Sequence, residues 1–452
     1  MKKRPLVVLS FFLILSAGVV AWIMSREGRS RPSVVLIVID TLRADRLGRA
    51  GYFRNITPHL DALADDSLVF ENAVAPAPWT TPSVAGLFTS LEPAVLGFET
   101  DLPIVLDDSV VALAEVFRRN GYRTMAVISH DFVGSSLNLD RGFDAFDQSN
   151  ALGHGGISSP GVTETAMSLL EAAGCRPFFL FVHYFDPHFD YLLHSEFDFD
   201  PDYPGPLKSG EPIESLQARA PAMTDADLRF VNALYDSEIG FTDRHVGRLL
   251  NELKRRELYD RGLIVFAADH GEEFSERGDH WIGHTKTLYQ ELVHVPLFIK
   301  LPGSSRRGVV EDDVGLIDLM PTLVDHLGLK TPAGYRPQGR AIDLEGGARP
   351  GPRSVYSETR YRPPFQAVVQ GGWKLIENRE TGARELYDLE SDPGEKVNLV
   401  SARPEEGERL AALLENWRQA VEIQRNRRNI RPAPPRFTEV EKVRLRSLGY
   451  LR

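Results

Sequence analysis

The sequence predicts an α/β protein: a doubly wound, mostly parallel sheet flanked by helices, with a small antiparallel-sheet subdomain near the C-terminus. Three observations carry this. The chain has 452 residues, too many for one ordinary core, so a large domain plus a smaller one is expected. Val34-Val35-Leu36-Ile37-Val38-Ile39 is a continuous apolar, β-branched run, as expected of a strand buried on both faces of a parallel sheet. Similar runs recur at 124–128, 178–183, 263–268 and 295–301, with helical spacing between them at 58–66, 110–120 and 225–256. Strands alternating with helices give the doubly wound arrangement.

Each element has a local reason. Thr57-Pro58 is a cap followed by proline at the first helical position, which opens 58–66. Beyond about residue 330 the texture changes. Short strand candidates at 354–358, 367–369, 373–377 and 385–388 are separated by glycine and polar turns, and a helix over 404–425 is expected against them. The tail from Arg425 to Arg436 is basic and proline-rich, and reads as a solvated extension. The expected organisation is therefore an N-terminal segment (1–28), a catalytic domain (33–330), an α+β subdomain (331–425) and a tail (426–452).

Composition narrows the function. Apolar residues make up 42% and charged residues 25%, the profile of a folded globular chain. The net charge of −11 does not favour nucleic acid as a partner. An anionic substrate would need a local positive site, which a bound metal can supply. Lys2, Lys3 and Arg4 precede an uncharged run over 5–25, closed by Arg26. Charge, apolar stretch and polar exit form the export pattern, at near membrane-spanning length. A single membrane anchor is favoured over a signal peptide cleaved near Val19 and Ala21; in both cases the catalytic part lies outside the cytoplasm, periplasmic or extracellular. Cys175 is the only cysteine, so no intrachain disulfide forms. It precedes a buried strand and reads as a structural thiol.

Ligands in open α/β sheets bind beyond the carboxyl ends of the strands. The first apolar run ends in Asp40, the third in His183 followed by Asp186-Pro187-His188, and the fourth in Asp269-His270-Gly271-Glu272. One Asp at a strand end serves equally well as a turn or helix cap. Asp40 together with Asp269-His270 favours a divalent metal site. In Pro78-Trp79-Thr80-Thr81-Pro82-Ser83, Pro82 fits a first helical turn with Thr81 as its cap. The free amides there favour an anion, and a hydroxyl just ahead is placed to attack it.

These segments resemble the sulfatase family of the alkaline phosphatase superfamily. The resemblance rests on Asp40-Thr41-Leu42-Arg43-Ala44-Asp45, the Trp79-to-Ser83 segment, Asp269-His270-Gly271-Glu272, and Thr287-Leu288-Tyr289-Gln290-Glu291 leading to His294-Val295-Pro296-Leu297. Ile317-Asp318-Leu319-Met320-Pro321-Thr322 and Glu385-Leu386-Tyr387-Asp388-Leu389 extend it, and Leu448-Gly449-Tyr450-Leu451 looks like the tails of bacterial members. It implies Asp40, Asp269 and His270 as metal ligands, with Thr80 as nucleophile also touching the metal. It implies His188 at the substrate's anionic group, and His284 near the leaving group with Lys286 as the alternative. His183 is implied as a further substrate-binding residue.

The departures matter. Most sulfatases carry Cys or Ser at the nucleophile, oxidised to formylglycine, and an Arg where Val84 stands. Thr80 cannot give formylglycine, because its Cβ already bears a methyl. Thr41 stands where many members have a second ligating Asp. Ile128-Ser129-His130-Asp131 replaces a segment that carries a substrate-gripping Lys. The hydrate of formylglycine attacks with one hydroxyl and expels sulfate with the other. A threonine ester must instead be cleared by water, as phosphoenzymes are. The resemblance therefore implies a metal-dependent hydrolase of sulfuric or phosphoric esters using one Mn²⁺, Ca²⁺ or Zn²⁺ ion and no formylglycine, with a leaning toward phosphoesters. The substrate expected is a sulfated or phosphorylated glycan, lipid or small molecule. A membrane-proximal phosphoryl transferase acting on a lipid or glycan, and an inactive binding protein, remain the alternatives.

Overall fold

The computed structural model describes residues 31–98, 102–153, 156–278, 280–346, 351–361 and 363–447. The expected N-terminal anchor and the closing Leu448-Gly449-Tyr450-Leu451 lie outside these residues. Among the described residues no helix is long and apolar enough to cross a membrane.

A large mixed sheet forms the centre. Its strands are β1 (Val34–Ile39), β2 (Leu68–Val74), β3 (Arg123–Val127), β4 (Ala145–Asp147), β5 (Phe178–Tyr184), β6 (Leu263–Ala268), β9 (Leu297–Lys300) and β10 (Gly308–Gly315); a two-stranded ribbon of β7 (Glu273–Phe274) and β8 (Ile282–Gly283) stands apart. The strand order is β10-β2-β9-β6-β1-β5-β3-β4. Strands β1, β5 and β6 are buried at every residue, as their unbroken apolar sequences require. They are parallel neighbours, with β1 between the other two. One expectation needs correcting. Strand β9 has the same apolar texture, but runs antiparallel to both β6 and β2. Burial on both faces dictates composition, not direction.

Helices cover both faces. Helix α1 (Pro58–Asp65) begins at the expected proline, yet Thr57 does not cap it with its side chain. Its hydroxyl instead accepts from the Gly48 amide at 2.9 Å and donates to Asp61 at 3.2 Å. Helix α2 (Thr80–Thr89) is buried along its whole length, and α3 (Asp225–Arg255) opens with a true capping box between Thr224 and Asp227.

The second sheet is antiparallel, with β11 (Val355–Thr359), β12 (Phe365–Gln370), β13 (Trp373–Asn378) and β14 (Arg384–Asp388) in sequential order. Helix α4 (Pro404–Arg428) packs on it through Leu410, Leu414 and Trp417, and its core is continuous with that of the large sheet. Lys374 and Glu395, both fully buried, form an ion pair of 2.8 Å beneath it.

The tail corrects a second expectation, because it is docked rather than solvated. Ala433 bridges to Val105, and helix α5 (Glu439–Ser447) buries Leu445 completely. Arg444 pairs with buried Asp131 at 2.6 Å. Gly97, at φ 97°, admits the strap: a Cβ there would meet Pro432 Cγ at 2.7 Å. Proline and arginine content hid a few well-placed apolar anchors.

Glu92 lies where α4 meets the large domain. Burial pushes its carboxyl up to about 8, with Glu358 and Asp318 adding like charge and Trp417 opposing. A carboxyl raised in the folded state holds its proton longer there than in the unfolded chain. Stability from this group is therefore lost as pH rises from the ordinary Glu value toward about 8. Glu92→Gln should raise the melting temperature at pH 8 by roughly 1–3 °C, with the gap closing at pH 4.5, as read by calorimetry.

Candidate active site

The sheet register sets the site. Ile39 is paired with Ala268 on one side and Tyr184 on the other. The next residues on β1 and β6, Asp40 and Asp269, therefore emerge side by side on one rim. His183, one residue before the end of β5, aligns with Val38 and joins them from the third strand. The chain then turns sharply at Thr41, whose φ of 57° is left-handed. That turn is held by the Thr41 amide donating to Asp269 Oδ1 at 3.3 Å and the Tyr235 hydroxyl donating to the Thr41 carbonyl at 2.6 Å.

Helix α2 delivers Thr80. The helix starts at Thr80 itself, two residues earlier than expected, and Thr81 does not cap it. The Thr81 hydroxyl donates to the Phe132 carbonyl at 3.0 Å instead. Ser83 Oγ donates to the Asp269 carbonyl at 2.6 Å and ties the helix start to the end of β6. Thr80 Oγ1 thereby lies 3.4 Å from Asp40 Oδ2 and 3.4 Å from His270 Nε2. Thr80, Asp40, His183, Asp269 and His270 are all at most 1% exposed.

The electrostatics of this group call for a cation. His270 Nε2 is 3.3 Å from Asp40 and 3.7 Å from Asp269, and His183 Nε2 is 3.6 Å from Asp40. One ligand atom each from Asp40, His183 and Asp269 fall within 4.8 Å of one another. Asp40 Oδ1, Asp269 Oδ2 and both His183 nitrogens are buried without a hydrogen-bond partner among the described residues. Burial alone would push the Asp40 carboxyl up, but the imidazoles of His270, His188 and His183 around it carry it below the carboxylate range. Burial and the Asp40 charge push Asp269 up. Burial disfavours charge on His270 too, yet the two carboxylates raise it. Two carboxylates that cannot both ionise unaided, beside aimed and unpartnered donors, fit a divalent metal. His270 Nδ1 lies 2.9 Å from the Gly271 carbonyl. If Nδ1 carries the proton, Nε2 is free to ligate.

Three more imidazoles complete the pocket. His188 and His284 have ring centroids 5.0 Å apart, and His284 lies 4.6 Å from His270. His284 Nδ1 is 3.0 Å from Glu272 Oε1. Burial, with His270 adding like charge, holds His284 well below the usual histidine value. Sequence reasoning missed His130, which stacks on Phe185 at 4.7 Å and lies 5.9 Å from His188. The signal was present, because Ser129-His130 comes after the buried strand β3 just as Asp40 comes after β1. The Lys286 ammonium lies 3.1 Å from the centroid of the Trp281 ring and 5.9 Å from that of Tyr361. Cys175 is exposed in the turn before β5, so it is not a packed structural thiol.

Comparison with known proteins identifies the family. The sulfatase family model matches residues 32–329, and the model for the C-terminal part of N-sulphoglucosamine sulphohydrolase matches 278–422. A sulfatase of Formosa agariphila is 24% identical over 81% of this chain and 83% of its own length. Human N-sulphoglucosamine sulphohydrolase is 28% identical over 70% of this chain and 65% of its own. Among solved structures, a putative sulfatase of Bacteroides thetaiotaomicron aligns with a TM-score of 0.72 at 21% identity, covering 89% of this chain and 95% of that one. A phosphonate monoester hydrolase of Silicibacter pomeroyi aligns with a TM-score of 0.70 at 22% identity, covering 86% and 95%. The chain belongs to the sulfatase family of the alkaline phosphatase superfamily, and is an ester-bond hydrolase.

Proposed function

We propose that this protein hydrolyses sulfuric or phosphoric esters with Thr80 as nucleophile and without formylglycine. The observation that carries the reading is Thr80 Oγ1, buried at a helix start, 3.4 Å from both Asp40 and His270. Asp40, Asp269 and His270 would hold the metal beside Thr80 Oγ1, with His183, which groups with the two carboxylates, as a further donor. When bound, a divalent ion supplies positive charge that offsets the carboxylates, acidifies the Thr80 hydroxyl and draws in an anionic ester. Oxygen and imidazole donors together favour Mn²⁺ or Zn²⁺ over Ca²⁺.

The chain's own residues then divide the work. Thr80 Oγ1 forms a bond to sulfur or phosphorus as the bond to the leaving oxygen breaks. The hydroxyl proton passes into the His188–His284 pair, and a proton from that pair goes to the leaving oxygen. Glu272 orients His284 through Nδ1, leaving Nε2 for this transfer. Water then cleaves the threonine ester, releasing sulfate or phosphate and restoring the hydroxyl. The single hydroxyl of Thr80 favours phosphorus over sulfur, since water attack clears phosphoenzymes readily. The phosphonate monoester hydrolase likeness supports that leaning. The sulfated-glycan enzymes among the relatives, such as the ulvan-active sulfatase of Formosa agariphila, support an anionic glycan as substrate. Residues 33–330 would form the catalytic domain and 331–425 its partner. An extracytoplasmic location fits relatives of this kind.

Three experiments test this. Aryl sulfate, phosphate monoester, phosphodiester and phosphonate substrates should show turnover with at least one class. Thr80→Ala should lower kcat by about a thousandfold or more; equal rates for wild type and variant would remove Thr80 from the mechanism. His284→Ala should cost on the order of 10²–10⁴-fold with a poor, alkoxide leaving group and much less with a nitrophenolate; an equal loss with both would place His284 elsewhere. Chelation should lower the melting temperature as well as abolish activity, and Mn²⁺ or Zn²⁺ should restore both more fully than Ca²⁺. An unchanged melting curve after exhaustive chelation would argue against a structural metal at this rim.

A further inference from the structure

A second concentration of positive charge lies outside the catalytic pocket. The end of helix α4 and the strap beyond it meet the 334–337 loop around a cleft of about 510 Å³. Its lining includes Arg336, Arg427 and Arg428, with Ser109 and Gln424, and contains no carboxylate. Two acids precede Ser109, and both are engaged: Asp107 accepts from the Ser109 amide and hydroxyl and from the Arg431 amide, while Asp108, outside the lining, accepts from Asn138 at 2.9 Å and pairs with Arg141 at 3.6 Å. Arg428 donates to the Arg336 carbonyl, which brings the two guanidinium-bearing segments together. Arg428 Nε is buried and has no partner among the described residues. Burial and the neighbouring Arg336 charge both lower the Arg428 pKa, so the site is short of negative charge.

A simpler account assigns Arg427 and Arg428 to the helix terminus, where cations are stabilised. It does not explain why Arg336, from another segment, faces the same cleft. Nor does it explain why an unpaired guanidinium nitrogen is buried there in a protein with a net charge of −11. We propose that this cleft is a secondary binding site for an oxyanion group, a sulfate or phosphate ester carried on a polysaccharide. Guanidinium forks match tetrahedral oxyanions. Gln424 and Ser109 add neutral donors of the kind that meet sugar hydroxyls. A concave cleft of this size accepts a substituted sugar ring, whereas a membrane would require an outward-facing cationic surface. The cleft goes beyond the catalytic reading and does not depend on it, because its test reads binding alone.

The test measures binding of a size-defined dextran sulfate oligosaccharide to the full chain at low salt. Arg427→Gln/Arg428→Gln should raise Kd about tenfold or more. Arg427→Gln alone, which removes an exposed side chain from the cleft rim, should raise it severalfold without a folding risk. Arg255→Gln/Arg261→Gln removes the same charge from exposed positions elsewhere and should leave Kd within about twofold. Inorganic sulfate should displace the oligosaccharide from wild type. Equal losses in the cleft and control variants would reduce the effect to net charge and overturn the proposal. Arginine-dependent binding to phosphatidylglycerol vesicles, with none to the oligosaccharide, would also overturn it.

Discussion

Asp40 and Asp269 stand next to one another, both fully buried, and the site is organised around that proximity. Two buried carboxylates repel, and the sheet register forces them together at the ends of β1 and β6. Everything near them works on that charge. Histidines crowd in from β5, β6 and the β8 loop, and the Thr41 amide donates to the Asp269 carboxylate. The left-handed turn at Thr41 aims that amide at the carboxylate. A divalent ion resolves the repulsion outright, so the same arrangement that sets carboxylate against carboxylate makes the pocket selective for a cation.

Much of this was legible in the sequence because strand-end position is a local property. Asp40, His183, His188, Asp269 and His270 all stand at or just beyond the end of an apolar run. Thr80 stands out as a hydroxyl ahead of a helix. The features that escaped were set by contacts distant in sequence. The direction of β9 depends on which neighbours it finds, and its apolar residues would suit either direction. Strand β2 was missed because Glu71 and Asn72 interrupt its apolar run, and β10 because its exposed half reads as loop. His130 was legible but overlooked. The helix cap at Thr81 was misplaced because a hydroxyl near a helix start can bond elsewhere, and Phe132 supplied the acceptor.

The C-terminal region shows the same limit from the other side. Its four short strands could be read from turns and alternation. The docking of the tail could not, because it rests on isolated residues. Leu445 is buried singly, while Arg444 and Pro432 meet Asp131 and Gly97, more than 300 positions away. One of these partners, Asp131, adjoins His130, so the last helix of the chain braces the rim of the catalytic pocket.

The order of strands in the large sheet has a consequence for how the protein is made. Strand β2 emerges early in synthesis, yet its neighbours in the sheet, among the described residues, are β9 and β10, more than 220 residues later. Until those residues leave the ribosome, both edges of β2 present unpaired backbone N–H and C=O groups. Such long-range pairing is slow and exposes the nascent chain to aggregation. A partly made chain therefore cannot close its own sheet. Closure of the large sheet waits until β9 and β10 have been made.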